Sequence, residues 1–184
     1  MTDALVVPRI ILITGIMASG KSTVAQHLAE RLPKSVHVRG DLFRRMIVSG
    51  RAEVTADFPD AAAEQLRLRY RLAALVTAEY LKAGFPVVCQ DVILGPMLSE
   101  VVDLLRQHCP DDPLHVVVLC PSPEVAAARD SARSKTGYGD WTPDALDHSL
   151  RTETPRLGLW LDNSDQTVEQ TVDTILAQLS DSAV

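Results

Sequence analysis

The sequence lacks the excess of basic residues that non-specific nucleic-acid binding requires. Its 184 residues include 18 lysines and arginines against 24 aspartates and glutamates, a net charge of −6. We therefore predict no nucleic-acid partner. No apolar run is long enough to span a membrane, and the N-terminus has neither the basic start nor the long apolar stretch of a signal peptide. We expect no membrane partner and a cytoplasmic location.

Cysteine is scarce, and internal repeats and low-complexity segments are absent. Three cysteines leave at least one unpaired, and Cys89, Cys109 and Cys120 show no metal-ligand spacing. Cys89 and Cys120 lie inside apolar runs, so we expect buried, reduced thiols. The length suits one domain over residues 1–184.

Short apolar runs alternate with helical patterns, which predicts a parallel α/β sheet. The strand candidates are Ile10–Thr14, Ser35–Val38, Pro86–Gln90, Leu114–Leu119 and Gly158–Leu161. Between them, apolar residues recur with the helical period, as at Leu68, Leu72 and Leu75, which share one face. Ser180 to Val184 are predicted to be a frayed tail.

A complete P-loop signature, Gly15-x-x-x-x-Gly20-Lys21-Ser22, lies between the first strand and the first helix. Its glycines let the backbone fold closely around phosphates. Lys21 would neutralise the β- and γ-phosphates, and the Ser22 hydroxyl would hold Mg²⁺. The predicted ligand is a nucleoside triphosphate with Mg²⁺, bound by Gly15, Ile16, Met17, Ala18, Ser19, Gly20, Lys21, Ser22 and Thr23. The absence of an "NKxD" guanine motif and the short chain favour a small kinase over a GTPase or a motor.

Two aspartates follow predicted strands, where the carboxyl ends of a doubly wound sheet face the ligand. Asp41 could accept the proton of a hydroxyl that attacks the γ-phosphate; alternatively, it is the N-cap of a helix over Leu42–Ile47. Asp91 resembles a Walker B aspartate that orients Mg²⁺ or its water shell; alternatively, it caps or stabilises a turn.

Two arginines stand four residues apart on one helix face, next to an irregular segment. Arg129 and Arg133 could close on the phosphates and stabilise the transition state, or they are a solvated helix end. The segment that follows, residues 134–141, is the predicted lid, with Lys135 a weaker candidate. A second irregular segment, residues 49–60, is the predicted acceptor loop.

The chain resembles the chloramphenicol phosphotransferase-like family of small P-loop kinases. The likeness covers most of the length and rests on the stretches "GIMASGKS", "RGDLFRRM", "VVCQDVILG" and "VAAARDSARS". It implies a five-stranded parallel sheet in the order 2-3-1-4-5, with helices on both faces and a small lid. It also implies that Asp41 is the general base, that Asp91 is the family's aspartate after the third strand, and that Arg129 and Arg133 are the lid arginines.

The expected activity is transfer of phosphate from ATP, with Mg²⁺, to a hydroxyl of a small molecule. The resemblance places the adenine between the Arg129 region and the loop near Asp162 and Asn163. Gln90 stands where the family often has a second acid. The stretch "LFRRMIVSGR" after Asp41 is basic, so an acceptor with a carboxylate or phosphate stays open. So do a metabolite kinase of the gluconate or shikimate type and a non-catalytic ATP-binding regulatory module.

Overall fold

A parallel sheet of five strands forms the centre of the computed structural model, which describes residues 10–55, 58–132 and 141–184. The elements in chain order are β1 (Ile10–Gly15), α1 (Lys21–Arg31), β2 (Val36–Arg39), α2 (Gly40–Arg45), α3 (Asp60–Lys82), β3 (Val87–Gln90), α4 (Met97–His108), β4 (Leu114–Leu119), α5 (Pro123–Ser131), α6 (Pro143–Glu153), β5 (Leu159–Leu161) and α7 (Val168–Ala177). The strand order is β2-β3-β1-β4-β5, with every pair parallel. The predicted strand order is confirmed.

The central strand β1 is buried throughout, because helices cover both faces of the sheet. Its side chains alternate between two apolar clusters. Leu12 packs with residues of α3, α4 and α6, whereas Ile11 and Ile13 pack with residues of α1 and α7. This alternation follows from the two-residue period of a strand. All three cysteines are buried and free, and burial raises the pKa of the Cys89 thiol to about 11.

The leucine face of α3 is not the face that packs against the core. Leu68 and Leu75 are exposed, and the buried face of α3 consists of Ala62, Tyr70, Ala73, Ala74, Thr77, Ala78 and Leu81. Small alanine side chains let this long helix lie close to its neighbours, so the leucines are left on the outer side.

The prediction of a frayed tail is wrong. Residues Leu179–Ser182 form a 3-10 helix, and the Val184 N–H donates to the Leu114 carbonyl at 3.1 Å. The reason is that β5 pairs only with the second half of β4, which leaves the first half without a neighbour on that side. The chain terminus fills this gap, and Ala183 forms an antiparallel bridge with His115.

Candidate functional site

The turn between β1 and α1 has the backbone conformations that the glycines were expected to allow. Gly15 has φ 146° and Gly20 has φ 96°, both in the region that favours glycine. At Gly15 a Cβ atom would lie 2.3 Å from the carbonyl oxygen of Leu119, so no side chain fits there. Ala18 also has a positive φ, 60°. The turn therefore approaches β4 closely and opens towards the carboxyl ends of the strands.

Lys21 and Ser22 begin α1 at the mouth of this turn. The Lys21 side chain is buried, and its Nζ donates to the carbonyl of Ile16 at 2.6 Å, so the ammonium group lies over the loop. Ser22 is exposed. The cation and the hydroxyl that the P-loop signature predicts are thus both presented at one end of the sheet.

The far side of the loop is held by a residue more than a hundred positions away. Asn163, buried after β5, donates from Nδ2 to the carbonyl of Ser19 at 3.1 Å. Arg129 in turn donates from Nη2 to the carbonyl of Asn163 at 2.8 Å. Its second nitrogen, Nη1, is shielded from solvent and has no hydrogen-bond partner within the described ranges. Arg129 and the loop after β5 are therefore in direct contact.

Asp41 lies in the first turn of α2, which begins at Gly40. The alternative that it is the N-cap of a helix beginning at Leu42 is therefore wrong. Its Oδ2 accepts from Arg45 Nη2 at 2.6 Å. Its Oδ1 is shielded from solvent, has no hydrogen-bond partner among residues 10–55, 58–132 and 141–184, and lies 3.8 Å from Arg39 Nε. One carboxylate oxygen thus accepts no hydrogen bond from the described residues.

Asp91 follows β3 and is bound by an arginine that the sequence analysis missed. Arg69 of α3 donates from Nε to Oδ2 at 2.5 Å, and its Nη2 pairs with Oδ1. Oδ1 also accepts from the N–H of Val92 at 2.7 Å. A Cβ at Gly40 would lie 1.9 Å from Asp91 Oδ2, so the absence of a side chain at Gly40 makes room for this carboxylate. Both Asp91 oxygens are thus engaged within the protein.

These residues surround one cleft at the carboxyl ends of β1, β2 and β3. It has a volume of about 560 Å³, including its open mouth, and its walls are Met17, Ala18, Gly20, Lys21, Ser22, Asp41, Arg69, Gln90, Asp91 and Val92. The structure therefore brings Lys21, Ser22, Asp41 and Asp91 together and adds Arg69. Thr14 stabilises the cleft from below, because its hydroxyl donates to the Ile93 carbonyl and accepts from the Ile93 N–H.

Several predictions fall on residues that the structure does not describe. Arg133, Lys135 and residues 134–140 of the predicted lid lie outside the described ranges, as do residues 56 and 57 of the predicted acceptor loop. Among the described residues, no group of three or more His, Cys, Asp or Glu side chains could hold a metal ion. In the same part of the chain, no helix has both the length and the apolar character that crossing a membrane requires.

Comparison with known protein families shows which family this chain belongs to. Residues 10–155, most of the chain, match the AAA domain family AAA_33. The chain belongs to this AAA domain family. No curated protein matches it.

Solved structures of kinases share the fold of this AAA domain protein over nearly its whole length. A sugar kinase from Janibacter sp. HTCC2649 is 22% identical with a TM-score of 0.66, and 95% of each chain is covered. A gluconokinase from Sinorhizobium meliloti 1021 is 23% identical with a TM-score of 0.60, covering 95% of this chain and 93% of its own. The Mycobacterium tuberculosis APS kinase, solved with AMPPNP and APS, is 19% identical with a TM-score of 0.67, covering 94% and 98%. The fold is that of P-loop kinases.

Proposed function

We propose that this protein is an ATP- and Mg²⁺-dependent kinase that phosphorylates a hydroxyl group of a small molecule, with an activity like that of the chloramphenicol phosphotransferase-like kinases. One observation carries the proposal. Asp41, one of whose carboxylate oxygens accepts no hydrogen bond from the described residues, lies in the wall of the same cleft as Lys21 and Ser22. A phosphate-binding turn alone would suit many nucleotide-binding proteins. A carboxylate beside it suits the deprotonation of an attacking hydroxyl.

Each residue has a defined role in this proposal. MgATP supplies the phosphoryl group, and an APS kinase of the same fold was solved with the ATP analogue AMPPNP. The backbone of Gly15–Thr23 and the Lys21 ammonium would hold the phosphates. Ser22, exposed at the start of α1, offers the oxygen donor that Mg²⁺ prefers. Asp91 would act on the metal only through its water shell, because Arg69 binds both of its oxygens.

In the phosphoryl-transfer step, the proton of the acceptor hydroxyl needs an acceptor atom on the protein. Asp41 Oδ1 would accept the proton of the acceptor hydroxyl as the hydroxyl oxygen attacks the γ-phosphorus and ADP leaves. Arg129 and Arg133 remain the candidates that stabilise the charge of the transferred group. For Arg129 the unpartnered Nη1 supports this role.

The test compares two carboxylate-to-amide variants, Asp41→Asn and Asp173→Asn. Both carboxylates pair with arginines, but Asp173 does not line the cleft. Exposed ion pairs contribute about 1 kcal/mol at most, so both variants should fold. ADP release stimulated by a library of hydroxylated compounds identifies the acceptor. Turnover should then fall by roughly a hundredfold or more in Asp41→Asn and change little in Asp173→Asn.

The same screen separates the alternatives. Lys21→Ala should remove most turnover while the fold survives, because its ammonium serves the phosphates. Stimulation by sugar acids alone would favour a gluconate- or shikimate-type kinase. Tight ATP binding without any acceptor-stimulated ADP release would identify a regulatory module and refute the kinase proposal. Equal turnover in Asp41→Asn and wild type would refute the base role.

A further inference from the structure

The loop after β5 contacts one peptide unit of the phosphate-binding turn. A carbonyl oxygen can only accept a hydrogen bond, and Asn163 Nδ2 donates to the Ser19 carbonyl at 3.1 Å. No backbone N–H in the described ranges donates to the same carbonyl. Both residues are buried, with 0% exposure for Ser19 and 3% for Asn163. Because the carbonyl is shielded from solvent, it depends on the Asn163 side chain for its hydrogen bond.

The same peptide unit carries the N–H of Gly20. The peptide is trans, so this N–H points away from the Ser19 carbonyl and from Asn163. Gly20 lies in the wall of the phosphate cleft, and no residue among those described accepts from its N–H. A backbone donor without an internal partner in such a turn is suited to bind a phosphate oxygen.

The glycine makes this orientation of the peptide easy to lose. Gly20 has φ 96° and ψ 1°, close to the third residue of a type II turn, whereas the third residue of a type I turn has φ of about −90° at a similar ψ. The two conformations differ by a flip of the preceding peptide, and glycine adopts both without steric cost. After a flip, the Ser19 carbonyl would take the place of the Gly20 N–H and repel a phosphate.

Asn163 is itself fixed by α5. Arg129 of α5 donates to the Asn163 carbonyl at 2.8 Å. The next residue, Ser164, accepts at its hydroxyl from the N–H of Ser122, the N-cap of α5, also at 2.8 Å. The loop after β5 is thus attached to α5 at two points, and these attachments hold the Asn163 amide against the turn.

We propose that Asn163 is a positioning residue, which orients the Ser19–Gly20 peptide so that the Gly20 N–H binds a phosphate oxygen of the nucleotide. The phosphate ligand rests on the proposed kinase function, whereas the orientation of the peptide rests on the contact between Asn163 and Ser19. A direct contact of Asn163 with the adenine is the alternative. The two roles predict different affinities for a phosphate chain that carries no base.

The probe is magnesium tripolyphosphate, which has the phosphate chain of ATP without ribose or adenine. Asn163→Leu keeps the side-chain shape and removes the donor. It should weaken tripolyphosphate and ATP by the same factor, about tenfold, which corresponds to about 1.4 kcal/mol and to the size of one hydrogen bond. Gln166→Met is the matched control, because this amide lies in the same loop and donates to Thr174 at 3.4 Å instead of the turn. In calorimetric titrations of this control, both affinities should stay within about twofold of wild type.

A second substitution acts on the same peptide from Gly20. A Cβ on Gly20 would lie 3.6 Å from Asn163 Nδ2, an ordinary contact, so Gly20→Ala acts through its unfavourable positive φ and not through a clash. It should also weaken tripolyphosphate about tenfold, since it favours the flipped peptide. The double variant should bind within about threefold of the weaker single variant, because both substitutions shift one equilibrium. Losses that multiply to about a hundredfold would overturn this common mechanism.

The other outcomes are equally decisive. Weaker ATP binding with unchanged tripolyphosphate binding in Asn163→Leu would make Asn163 a contact of the base and overturn the inference. Equal effects of Asn163→Leu and Gln166→Met would do the same. If Asn163→Leu does not fold, unchanged tripolyphosphate affinity in Gly20→Ala would refute the positioning role. Turnover that fails with every acceptor, while these affinities change as expected, would refute the proposed kinase and leave the positioning role standing.

Discussion

The ion pair between Arg69 and Asp91 makes a large and specific prediction about stability. The Asp91 side chain is buried, at 6% exposure, the Arg69 side chain is 13% exposed, and Arg69 contacts both carboxylate oxygens. Arg69→Met keeps most of the aliphatic volume but leaves the Asp91 carboxylate with only the Val92 N–H as its described donor. Removing one partner of a buried ion pair costs roughly 3–5 kcal/mol. Because Arg69 retains some solvent contact, we expect a loss of about 3 kcal/mol in the free energy of unfolding.

A neighbouring arginine provides the control. Arg67 is 48% exposed and lies 3.5 Å from Glu100, which is also exposed. Arg67→Met removes the same charge from the same helix, and the loss should stay below about 1 kcal/mol. Urea unfolding followed by circular dichroism measures both, and the difference corresponds to roughly 4–8 °C in melting temperature for a chain of this size.

The double variant tests the cause. Asp91→Asn removes the stranded charge and keeps an oxygen for the Val92 N–H. In the Arg69→Met background it should therefore restore about 1 kcal/mol or more, although Asp91→Asn alone destabilises wild type. The reasoning fails if Arg69→Met costs no more than Arg67→Met. It also fails if the second substitution destabilises the protein further.

Three further predictions concern the loop, the nucleotide side and the pH dependence. Gly15→Ala should lower the free energy of unfolding by about 3 kcal/mol or more and abolish ATP binding, because its Cβ would clash with the backbone of β4. Gly50→Ala is the control: nothing surrounds Gly50, so the loss should be about 1 kcal/mol. Equal losses of the two variants in thermal melts would contradict this prediction. Arg129→Ala should lower turnover at least about tenfold and weaken ATP binding by a smaller factor. Kinetics measure the first effect, and titration with an ATP analogue measures the second. Unchanged turnover would indicate that Arg129 has a purely structural role. Burial and the positive charge of Arg39 lower the pKa of His37 from 6.5 to about 4. Between these two pH values the unfolded chain therefore binds a proton that the folded chain does not, and stability falls as the pH drops from 6.5 towards 4. Because His37 is partly solvated, wild type should lose about 1 kcal/mol of unfolding free energy from this cause between pH 7 and 4.5, and His37→Gln should not. Stability curves that run parallel with pH for the two proteins would exclude this effect.

The sequence predicted those features whose causes are local. The P-loop depends on glycines at fixed spacing between a strand and a helix, and both glycines have the positive φ that this spacing implies. Ser122 and Thr142 cap α5 and α6, and in both helices a proline follows the capping residue, which is a local signal of a helix start. Strands β1, β3 and β4 could be predicted because buried parallel strands are almost wholly apolar. In each case the neighbours in the chain supply the physical cause.

The position of Asp41 was also predictable in part. The end of a parallel strand faces the ligand crevice in any doubly wound sheet, so an aspartate after β2 was expected near the P-loop. Its pairing with Arg45 follows from their spacing of one helical turn. What remained open was the start of α2, which places Asp41 inside the helix rather than before it.

Only the tertiary structure decided which arginine of α3 enters the cleft. The helix carries arginines at every second position, Arg67, Arg69 and Arg71. The rotation of α3 about its own axis, relative to β3, directs Arg69 to Asp91. The same orientation of α3 leaves Leu68 and Leu75 exposed, which their spacing alone does not reveal. Hydrophobicity alone does not determine this orientation, because α3 buries a face of small side chains that permits a close approach.

Contacts between residues far apart in the chain could not be predicted from local sequence patterns either. Asn163 supports Ser19 across 144 positions, and the terminal Val184 completes the edge of β4 at Leu114. A backbone group that secondary structure leaves unpaired must find a partner elsewhere in the fold. The sequence therefore determined the conformation of the turn, whereas the packing of α3 and of the loop after β5 decided which side chains surround it.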